Sequence, residues 1–356
     1  MKLGIIGLPQ SGKTTIFNAL TRGDQPTSVS GGRVEVHTAV VDVPDERVDR
    51  LSVLFHPQKT IYAKVTYADI AGLEGSASKM GISGSLLNQL TQMDGFVHVV
   101  RCFEDASVPH PSGSVGPQRD IAAMDAELLL NDLIAVERKL ERLVEERRKG
   151  GGRDKAVIER EAVIFEKLQG TLAGEKPLRD IELSAEEDNT LSGFGFLTRK
   201  PMLQILNLSD GQSPPQVDYP HAHSAALPLQ GRLEMELAQL SPEDAQIFMG
   251  EYGIEELGLT KVIRVSYDLL GLQSFFTVGP DEVRAWTVRR GDNALTAAGV
   301  IHTDLQKGFI RAEVVTYLDL VTLGGLAEAR AKGKLRLEGK EYILQDGEIM
   351  HVRFNI

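Results

Sequence analysis

The sequence is almost free of cysteine: among its 356 residues Cys102 stands alone, which excludes a disulfide framework and a cysteine-based zinc site. Long hydrophobic runs are also missing, since no apolar stretch approaches the roughly 20 residues that a membrane-spanning helix needs. The first thirty residues lack the basic and then apolar pattern of a signal segment. These absences predict a cytoplasmic protein with no membrane partner.

Positive charge is scarce as well, because 39 Lys and Arg face 50 Asp and Glu and leave a net charge of −11. Such a balance argues against a protein that coats nucleic acid with its whole surface, although a local basic face is compatible with it. Residues 137–160 hold nine basic and six acidic side chains and are the candidate for such a face. The length predicts two or three domains, each with a core of its own.

What the sequence does contain is a phosphate-binding motif close to its start. Residues 7–14 read G-L-P-Q-S-G-K-T, which fits the pattern G-x-x-x-x-G-K-[ST]. An apolar run suited to a buried strand precedes the motif, and apolar residues at helical spacing follow it. In this strand–loop–helix context the backbone N–H groups of the loop surround phosphate, and the helix N-terminus adds its positive dipole end. The motif therefore predicts binding of a nucleoside triphosphate.

The positions of the loop have distinct expected roles. Lys13 is expected to reach the β- and γ-phosphates and to serve catalysis, and the Thr14 hydroxyl to ligate Mg²⁺. The alternative is a glycine-rich turn that carries an ordinary surface lysine. The predicted nucleotide-binding residues of the loop are Gln10, Ser11, Gly12, Lys13, Thr14 and Thr15.

A second motif, D-x-x-G, runs from Asp69 to Gly72 after a strand-like alternation that predicts one strand over 60–68. Asp69 is expected to hold Mg²⁺ through water, and the Gly72 N–H to sense the γ-phosphate. Ras-type GTPases orient the attacking water with a glutamine at the next position, where this chain has Leu73. Hydrolysis must therefore use another group or be slow. His110, in a loop rich in proline, glycine and serine, is the catalytic candidate, and an ordinary surface histidine is the alternative.

The base is expected to be read after the apolar strand 203–206. Asn207, Leu208 and Asp210 stand where guanine-binding proteins have N-K-x-D. Asn207 is predicted to hydrogen-bond a purine N7, and Leu208 to pack against the purine face. With leucine in place of lysine, selectivity for guanine is weakened, and Asp210 favours guanine only if it reaches the base.

The order of elements predicts the architecture. Strand-like and helix-like runs alternate up to about residue 118, which implies a mostly parallel sheet with helices on both faces. Residues 120–184 are helically periodic and interrupted by three glycines at 150–152, which predicts an antiparallel helical hairpin. This hairpin is an exposed arm, a docking surface or a plain packing element. From residue 273 onward, strands at 275–278, 283–288 and 349–354 and a helix at 296–301 predict a compact α+β module.

Together these features resemble the YchF, or Obg-like ATPase, family of P-loop GTPases over nearly the whole chain. Besides the motifs above, the blocks that carry the resemblance are Val43-Pro44-Asp45 with Arg47, residues 98–104 and residues 183–187. The most specific agreement is C-terminal, at residues 282–288, 301–304, 307–313 and 342–347. The loop histidine of the family matches His110.

The resemblance implies an α/β P-loop G domain at 1–119 and 196–272. It further implies a helical coiled-coil insertion at 120–195 and a C-terminal, ubiquitin-like α+β TGS domain at 273–356. It implies hydrolysis of ATP in preference to GTP, a ribosome or rRNA partner, and the work of a translation-linked or stress-linked switch. No sequence-specific DNA binding is expected. Two alternatives stay open: a nucleotide-sensing ribosome adaptor with little hydrolysis, and a member that prefers GTP.

Three positions and one stretch depart from the family pattern. Gln10 replaces an asparagine that helps to bind K⁺ in related enzymes, so a potassium requirement stays open alongside the expected Mg²⁺. Arg33 stands at the position of a switch-I threonine that ligates Mg²⁺, so that second ligand is expected to be lost. The switch-II stretch, 74–84, is one residue shorter than in the family. Asp210 replaces a glutamate, which makes the preference for ATP less secure than in typical members.

Overall fold

The computed structural model describes residues 1–23, 36–70, 82, 84–149 and 152–355. The chain divides into two compact units, Met1–Ala39 with Thr66–Leu259 and Val40–Val65 with Thr260–Ile356. The expected division into G domain, helical insertion and TGS domain stays a prediction. Arg33, Gly72, Leu73, most of the switch-II stretch and the first two glycines of the 150–152 turn lie outside the described residues.

The secondary structure alternates in the way that the sequence pattern predicts. The strands are β1 (Lys2–Ile6), β2 (Val36–Asp42), β3 (Lys59–Ile61), β4 (Lys64–Ile70), β5 (Gly95–Arg101), β6 (Met202–Asn207), β7 (Ser224–Leu229), β8 (Leu272–Val278), β9 (Glu282–Arg289), β10 (Phe309–Thr316), β11 (Arg336–Glu338) and β12 (Glu348–Phe354). The helices are α1 (Lys13–Thr21), α2 (Glu46–Phe55), α3 (Gly84–Thr91), α4 (Pro117–Lys149), α5 (Lys155–Ala173), α6 (Ala185–Leu191), α7 (Gly231–Ala238), α8 (Pro242–Tyr252), α9 (Gly258–Leu269), α10 (Ala294–Ile301), α11 (Thr303–Lys307), α12 (Tyr317–Leu323) and α13 (Leu326–Ala331). Over the described ranges, none of these helices has both the length and the apolar character needed to cross a membrane.

The first sheet has the strand order β2-β4-β1-β5-β6-β7 and confirms the predicted α/β fold. Strands β4, β1, β5, β6 and β7 run parallel, with Ile5 of β1 in register with Asp69 of β4 and Val97 of β5. Helices α3 and α4 cover one face of this sheet through an apolar cluster that includes Ile6, Leu90 and Met124. Because parallel strands all end at the same edge, the loops that follow them meet there, which is where open α/β sheets bind ligands.

The predicted helical hairpin is confirmed by α4 and α5. Helix α4 has 33 residues, which corresponds to about 50 Å. Its distal half packs on α5 through a second apolar cluster, which holds Val136 and Leu143 of α4 and Phe165 and Leu168 of α5. The Asp154 side chain accepts a hydrogen bond from the Ala156 N–H and caps the start of α5.

The second sheet has the order β11-β10-β12-β8-β9-β3 and carries the C-terminal α+β module. The expected strands at 275–278, 283–288 and 349–354 and the helix at 296–301 lie inside β8, β9, β12 and α10. Strands β10 and β11 and helices α11, α12 and α13 were not predicted. The cores of these elements meet in a cluster that includes Phe275, Ala298 and Val314.

The single strand predicted over 60–68 is wrong. The chain forms β3 up to Ile61, leaves the strand at Tyr62 and Ala63, and starts β4 at Lys64. Strand β3 pairs in parallel with β9 of the second sheet, whereas β4 pairs with β1 of the first sheet. The alternation of side chains continues across a two-residue break, so hydrophobic periodicity alone does not reveal that the chain changes sheets.

The hairpin core generates a stability prediction. Phe165 is fully buried, and its ring contacts that of Phe194 at 4.9 Å between centroids. Phe165→Ala should lower the free energy of unfolding by about 3–5 kcal/mol, because it leaves a cavity between the two helices. Urea denaturation followed by circular dichroism measures this. The matched control is Val163→Ala on the same helix, where the side chain is 65% exposed and the change should stay within about 0.5 kcal/mol. Equal losses in both variants would contradict the assigned core.

Candidate functional site: a phosphate-binding loop at the edge of the first sheet

The glycine-rich loop lies between β1 and α1, as the motif predicts. Strand β1 has four successive buried residues, so its C-terminal end is held in the middle of the sheet. The loop then needs left-handed backbone at Gln10 and Gly12, with φ of 61° and 93°. Gly12 is the last residue before α1 and offers no side-chain cap. The N–H groups of the first helical turn are therefore left for an anion.

Gly12 stands where there is no room for a side chain. A Cβ atom placed there would lie 2.3 Å from the Nδ2 atom of Asn207. That amide donates to the Ser11 carbonyl oxygen at 2.9 Å, while its Oδ1 accepts the Gly231 N–H at 3.2 Å. Glycine is thus required at position 12 both by its backbone conformation and by the approach of Asn207.

Lys13 lies folded back over the loop in this structure. Its Nζ donates to the carbonyl oxygens of Gly7 and Leu8 at 2.9 and 3.0 Å. Burial lowers the pKa of Lys13 from 10.5 to about 8, against the opposing attraction of the Asp69 carboxylate. Carbonyl oxygens are weaker hydrogen-bond acceptors than phosphate oxygens. The Lys13 ammonium group can therefore exchange them for a bound anion.

Thr14 and Asp69 are in contact at the end of the adjacent strands β1 and β4, which confirms that the loop and the end of β4 are neighbours. The Thr14 hydroxyl donates to Asp69 Oδ2 at 2.8 Å. Asp69 is 5% exposed, and its Oδ1 has no hydrogen-bond partner among the described residues. Burial raises the pKa of Asp69, whereas the Thr14 hydrogen bond and the nearby Lys13 and His37 oppose the rise. A buried carboxylate oxygen without a partner beside a hydroxyl is the donor set that a hard divalent cation prefers.

Of the three residues predicted to read the base, two are buried and one is exposed. Asn207 is buried, and its side-chain amide hydrogen-bonds the Ser11 carbonyl oxygen and the Gly231 N–H. These contacts were not anticipated from the sequence. Leu208 is 5% exposed and packs in an apolar cluster with Cys102 and Ile121. Asp210 is exposed at the start of the loop that follows β6. Contact of these three side chains with a base stays a prediction.

His110 occupies a buried position instead of swinging freely in its loop. Its side chain is 4% exposed, and its Nε2 lies 2.9 Å from Asp120 Oδ2 on the first turn of α4. Its Nδ1 accepts the Ser112 N–H at 3.1 Å. Sequence reasoning placed His110 correctly in a loop after β5 but missed Asp120, whose only signal was its position at the start of a long helical pattern.

The remaining predicted site residues are Ser11, Thr15 and Gly72. Ser11 is 2% exposed, and its Oγ has no hydrogen-bond partner among the described residues. Thr15 is half-buried on the first turn of α1. Gly72 falls in the stretch that the structure does not describe. Over the described ranges, no group of three or more His, Cys, Asp or Glu side chains forms a preassembled metal cage.

A glycine loop between a central parallel strand and a helix, with its lysine and threonine beside the aspartate of the next strand, defines a P-loop nucleotide-binding protein. Family models agree with this class. Residues 2–139 match a family described as "50S ribosome-binding GTPase", and residues 272–355 match YchF-GTPase_C, described as "Protein of unknown function".

Full-length relatives identify the family. The chain is 40% identical to the "Ribosome-binding ATPase YchF" of Bacillus subtilis (strain 168), with 99% of each chain covered. It is 41% identical to the protein of that name from Escherichia coli O157:H7, covering 100% of this chain and 99% of the relative. The solved structure of the Schizosaccharomyces pombe YchF GTPase is 32% identical and superposes with a TM-score of 0.84 over 99% of this chain and 97% of that one. The chain belongs to the YchF family.

The lowered pKa of Lys13 generates a prediction about protons. At about pH 8.5 roughly three quarters of Lys13 side chains are neutral, given a pKa of about 8. A triphosphate beside Nζ raises that pKa, so binding should take up protons at pH 8.5 and much less at about pH 7, where Lys13 is already charged. Titration calorimetry with a non-hydrolysable ATP analogue, repeated in buffers of different ionisation enthalpy, counts these protons. Proton release at pH 8.5, or uptake that is larger at pH 7, would contradict the placement of the phosphates beside Lys13.

Proposed function

We propose that this protein is a ribosome-binding ATPase that works as a nucleotide-controlled switch in the cytoplasm, with hydrolysis at the loop between β1 and α1. The observation that carries the proposal is the buried contact between Thr14 and Asp69 beside a loop whose lysine hydrogen-bonds two carbonyl oxygens, those of Gly7 and Leu8. The full-length relatives, which are named ribosome-binding ATPases, support the ribosome and ATP as partners.

Triphosphate binding follows from the loop. The backbone N–H groups of the first turn of α1 are proposed to bind the β-phosphate, and the start of α1 adds its dipole. Lys13 exchanges its two carbonyl partners for β- and γ-phosphate oxygens. Ser11 stays in the loop wall, where Asn207 holds its carbonyl oxygen and thereby the curvature of the loop.

The residues present fit Mg²⁺. Asp69 Oδ1, which has no hydrogen-bond partner in the part of the chain that the structure describes, and the Thr14 hydroxyl are both oxygen donors, with Asp69 expected to act through a water. Bound there, Mg²⁺ would neutralise charge on the β- and γ-phosphates. Thr14 would then turn its hydroxyl proton away from Asp69, so that both oxygens face the ion.

Hydrolysis requires an oriented water. The water oxygen attacks the γ-phosphorus, the bond from that phosphorus to the β–γ bridging oxygen breaks, ADP leaves with the electron pair, and the proton of the water passes to phosphate or solvent. Since the side chain of Leu73 cannot form hydrogen bonds, we assign the orientation of the water to His110. The Gly72 N–H is proposed to contact the γ-phosphate.

ATP is proposed as the nucleotide, with GTP as the second candidate because the matching family model and the fission-yeast structure both carry the word GTPase. Reading of guanine by N-K-x-D needs a lysine stem over the base, and Leu208 is instead packed in an apolar cluster. Asp210 is the one predicted base-reading group that remains exposed and able to turn toward a ligand.

The test is single-turnover hydrolysis of ATP and GTP by the purified protein, with and without purified ribosomes, together with ribosome pelleting. Lys13→Ala should lower the rate at least a hundredfold, because Lys13 contacts the phosphates whose charge grows in the transition state. Lys176→Ala, an exposed lysine of the same unit, is the control and should leave the rate unchanged. ATP should bind at least as tightly as GTP.

Other outcomes point to other functions. Undiminished hydrolysis by Lys13→Ala would overturn the site. A wild-type rate no higher than that without protein would favour the nucleotide-sensing adaptor, and GTP binding tenfold tighter, about 1.4 kcal/mol, would favour a GTPase. Failure of the protein to pellet with ribosomes would remove the ribosome from the proposal.

A further inference from the structure

Every hydrogen-bonding atom of the His110 ring is already engaged within the protein. The Ser112 N–H donates to Nδ1 at 3.1 Å, so Nδ1 carries no proton. The ring proton of the neutral imidazole therefore lies on Nε2, which donates to Asp120 Oδ2 at 2.9 Å. No nitrogen of His110 is left to accept from or donate to a water.

Asp120 is itself fixed and buried. Its residue is 2% exposed, and its other oxygen, Oδ1, accepts from Nε and Nη2 of Arg119 at 3.0 and 2.8 Å. Arg119 also donates to the Ser114 carbonyl oxygen at 2.6 Å, which ties down the loop beyond His110. The carboxylate thus has a cation on one oxygen and the histidine on the other.

The loop is also fastened before His110. Arg101, at the end of β5, donates from Nη2 to the Val108 carbonyl oxygen at 2.7 Å and from Nε to the Phe103 carbonyl oxygen at 3.1 Å. Both flanks of the loop therefore make hydrogen bonds in which the His110 side chain takes no part.

We propose that Asp120 is a positioning residue that withholds His110 from the nucleotide, and that hydrolysis requires Nε2 to leave Asp120. The inference rests on the proposed function, in which His110 orients the attacking water. It accounts for the fact that His110, the proposed catalytic residue, has both ring nitrogens hydrogen-bonded within the protein. The sequence of events is release of His110 from Asp120, orientation of the water by the freed imidazole, and the hydrolysis step described above.

The experiment compares single-turnover ATP hydrolysis, at saturating ATP, by four proteins: the unmodified chain, Asp120→Ala, His110→Ala and the double variant. Asp120→Ala should raise the rate about tenfold, as expected for removal of one hydrogen bond to a charged group. His110→Ala should lower it, and the double variant should match His110→Ala, because Asp120 acts only through His110. A merely structural role for Asp120 would lower the rate and would not depend on His110.

Two further variants sharpen the comparison. Asp120→Asn keeps a carbonyl oxygen that accepts from Nε2, so its rate should return toward that of the unmodified chain. Asp125→Ala removes a carboxylate from the same helix that accepts from Tyr219 and does not contact His110, and it should show no rise.

The outcomes separate the inference from the proposed function. Unchanged hydrolysis in His110→Ala would overturn the catalytic role of His110 and the inference with it. A fall in His110→Ala without a rise in Asp120→Ala, or a rise that persists in the double variant, would overturn the inference alone. If Asp120→Ala does not fold, ¹⁵N resonances of the His110 ring in the unmodified chain decide. The Nε2–H tautomer without nucleotide supports the arrangement, and an Nδ1–H or doubly protonated ring overturns it.

Discussion

Asn207, at the end of β6, holds the phosphate-binding loop in its shape. Its amide, 4% exposed, joins the Ser11 carbonyl oxygen on one side to the Gly231 N–H on the other. A buried amide of this kind is costly to leave without partners, so the three segments are fixed together. The loop approaches so closely that only glycine fits at position 12, and the left-handed turn that opens the α1 N-terminus follows from that approach.

Helix α4 contacts three separate parts of the first unit. Its first turn carries Asp120, which contacts His110, and its middle carries Asp132, which accepts the N–H groups of Leu197 and Thr198 just before β6. Its distal half forms the hairpin with α5. One rigid element therefore contacts the loop of the candidate catalytic histidine, the entry to the strand of Asn207 and the hairpin core.

The sequence was most informative where chemistry is local. The phosphate loop, Lys13, Thr14 and the contact with Asp69 were predictable, because a strand–loop–helix motif fixes its own geometry and parallel strands end at one edge. The hydrogen bond of Asn207 to a purine stays a prediction, and its contacts with Ser11 and Gly231 were not foreseen. Those partners are set by tertiary packing that a motif does not encode.

Other features that the sequence did not reveal have the same origin. A period-two pattern does not show the break between β3 and β4, because the alternation of side chains continues while the chain changes sheets. Contact of Leu208 with a base stays a prediction, and its packing with residues of β5 and α4, which are far away in sequence, was not foreseen. The partnership of His110 with Asp120 joins a loop to a helix start, and side-chain partners of that kind follow from the fold and not from spacing.

The central claim is that Asn207 holds the loop in the conformation that binds phosphate. Titration calorimetry of Asn207→Ala with a non-hydrolysable ATP analogue and Mg²⁺ tests it most directly. Loss of the amide leaves the Ser11 carbonyl oxygen and the Gly231 N–H without their partner, and affinity should fall at least tenfold, about 1.4 kcal/mol. Lys176→Ala, an exposed change in the same unit, should alter affinity for the ATP analogue less than threefold. Unchanged affinity in a folded Asn207→Ala protein would contradict the account.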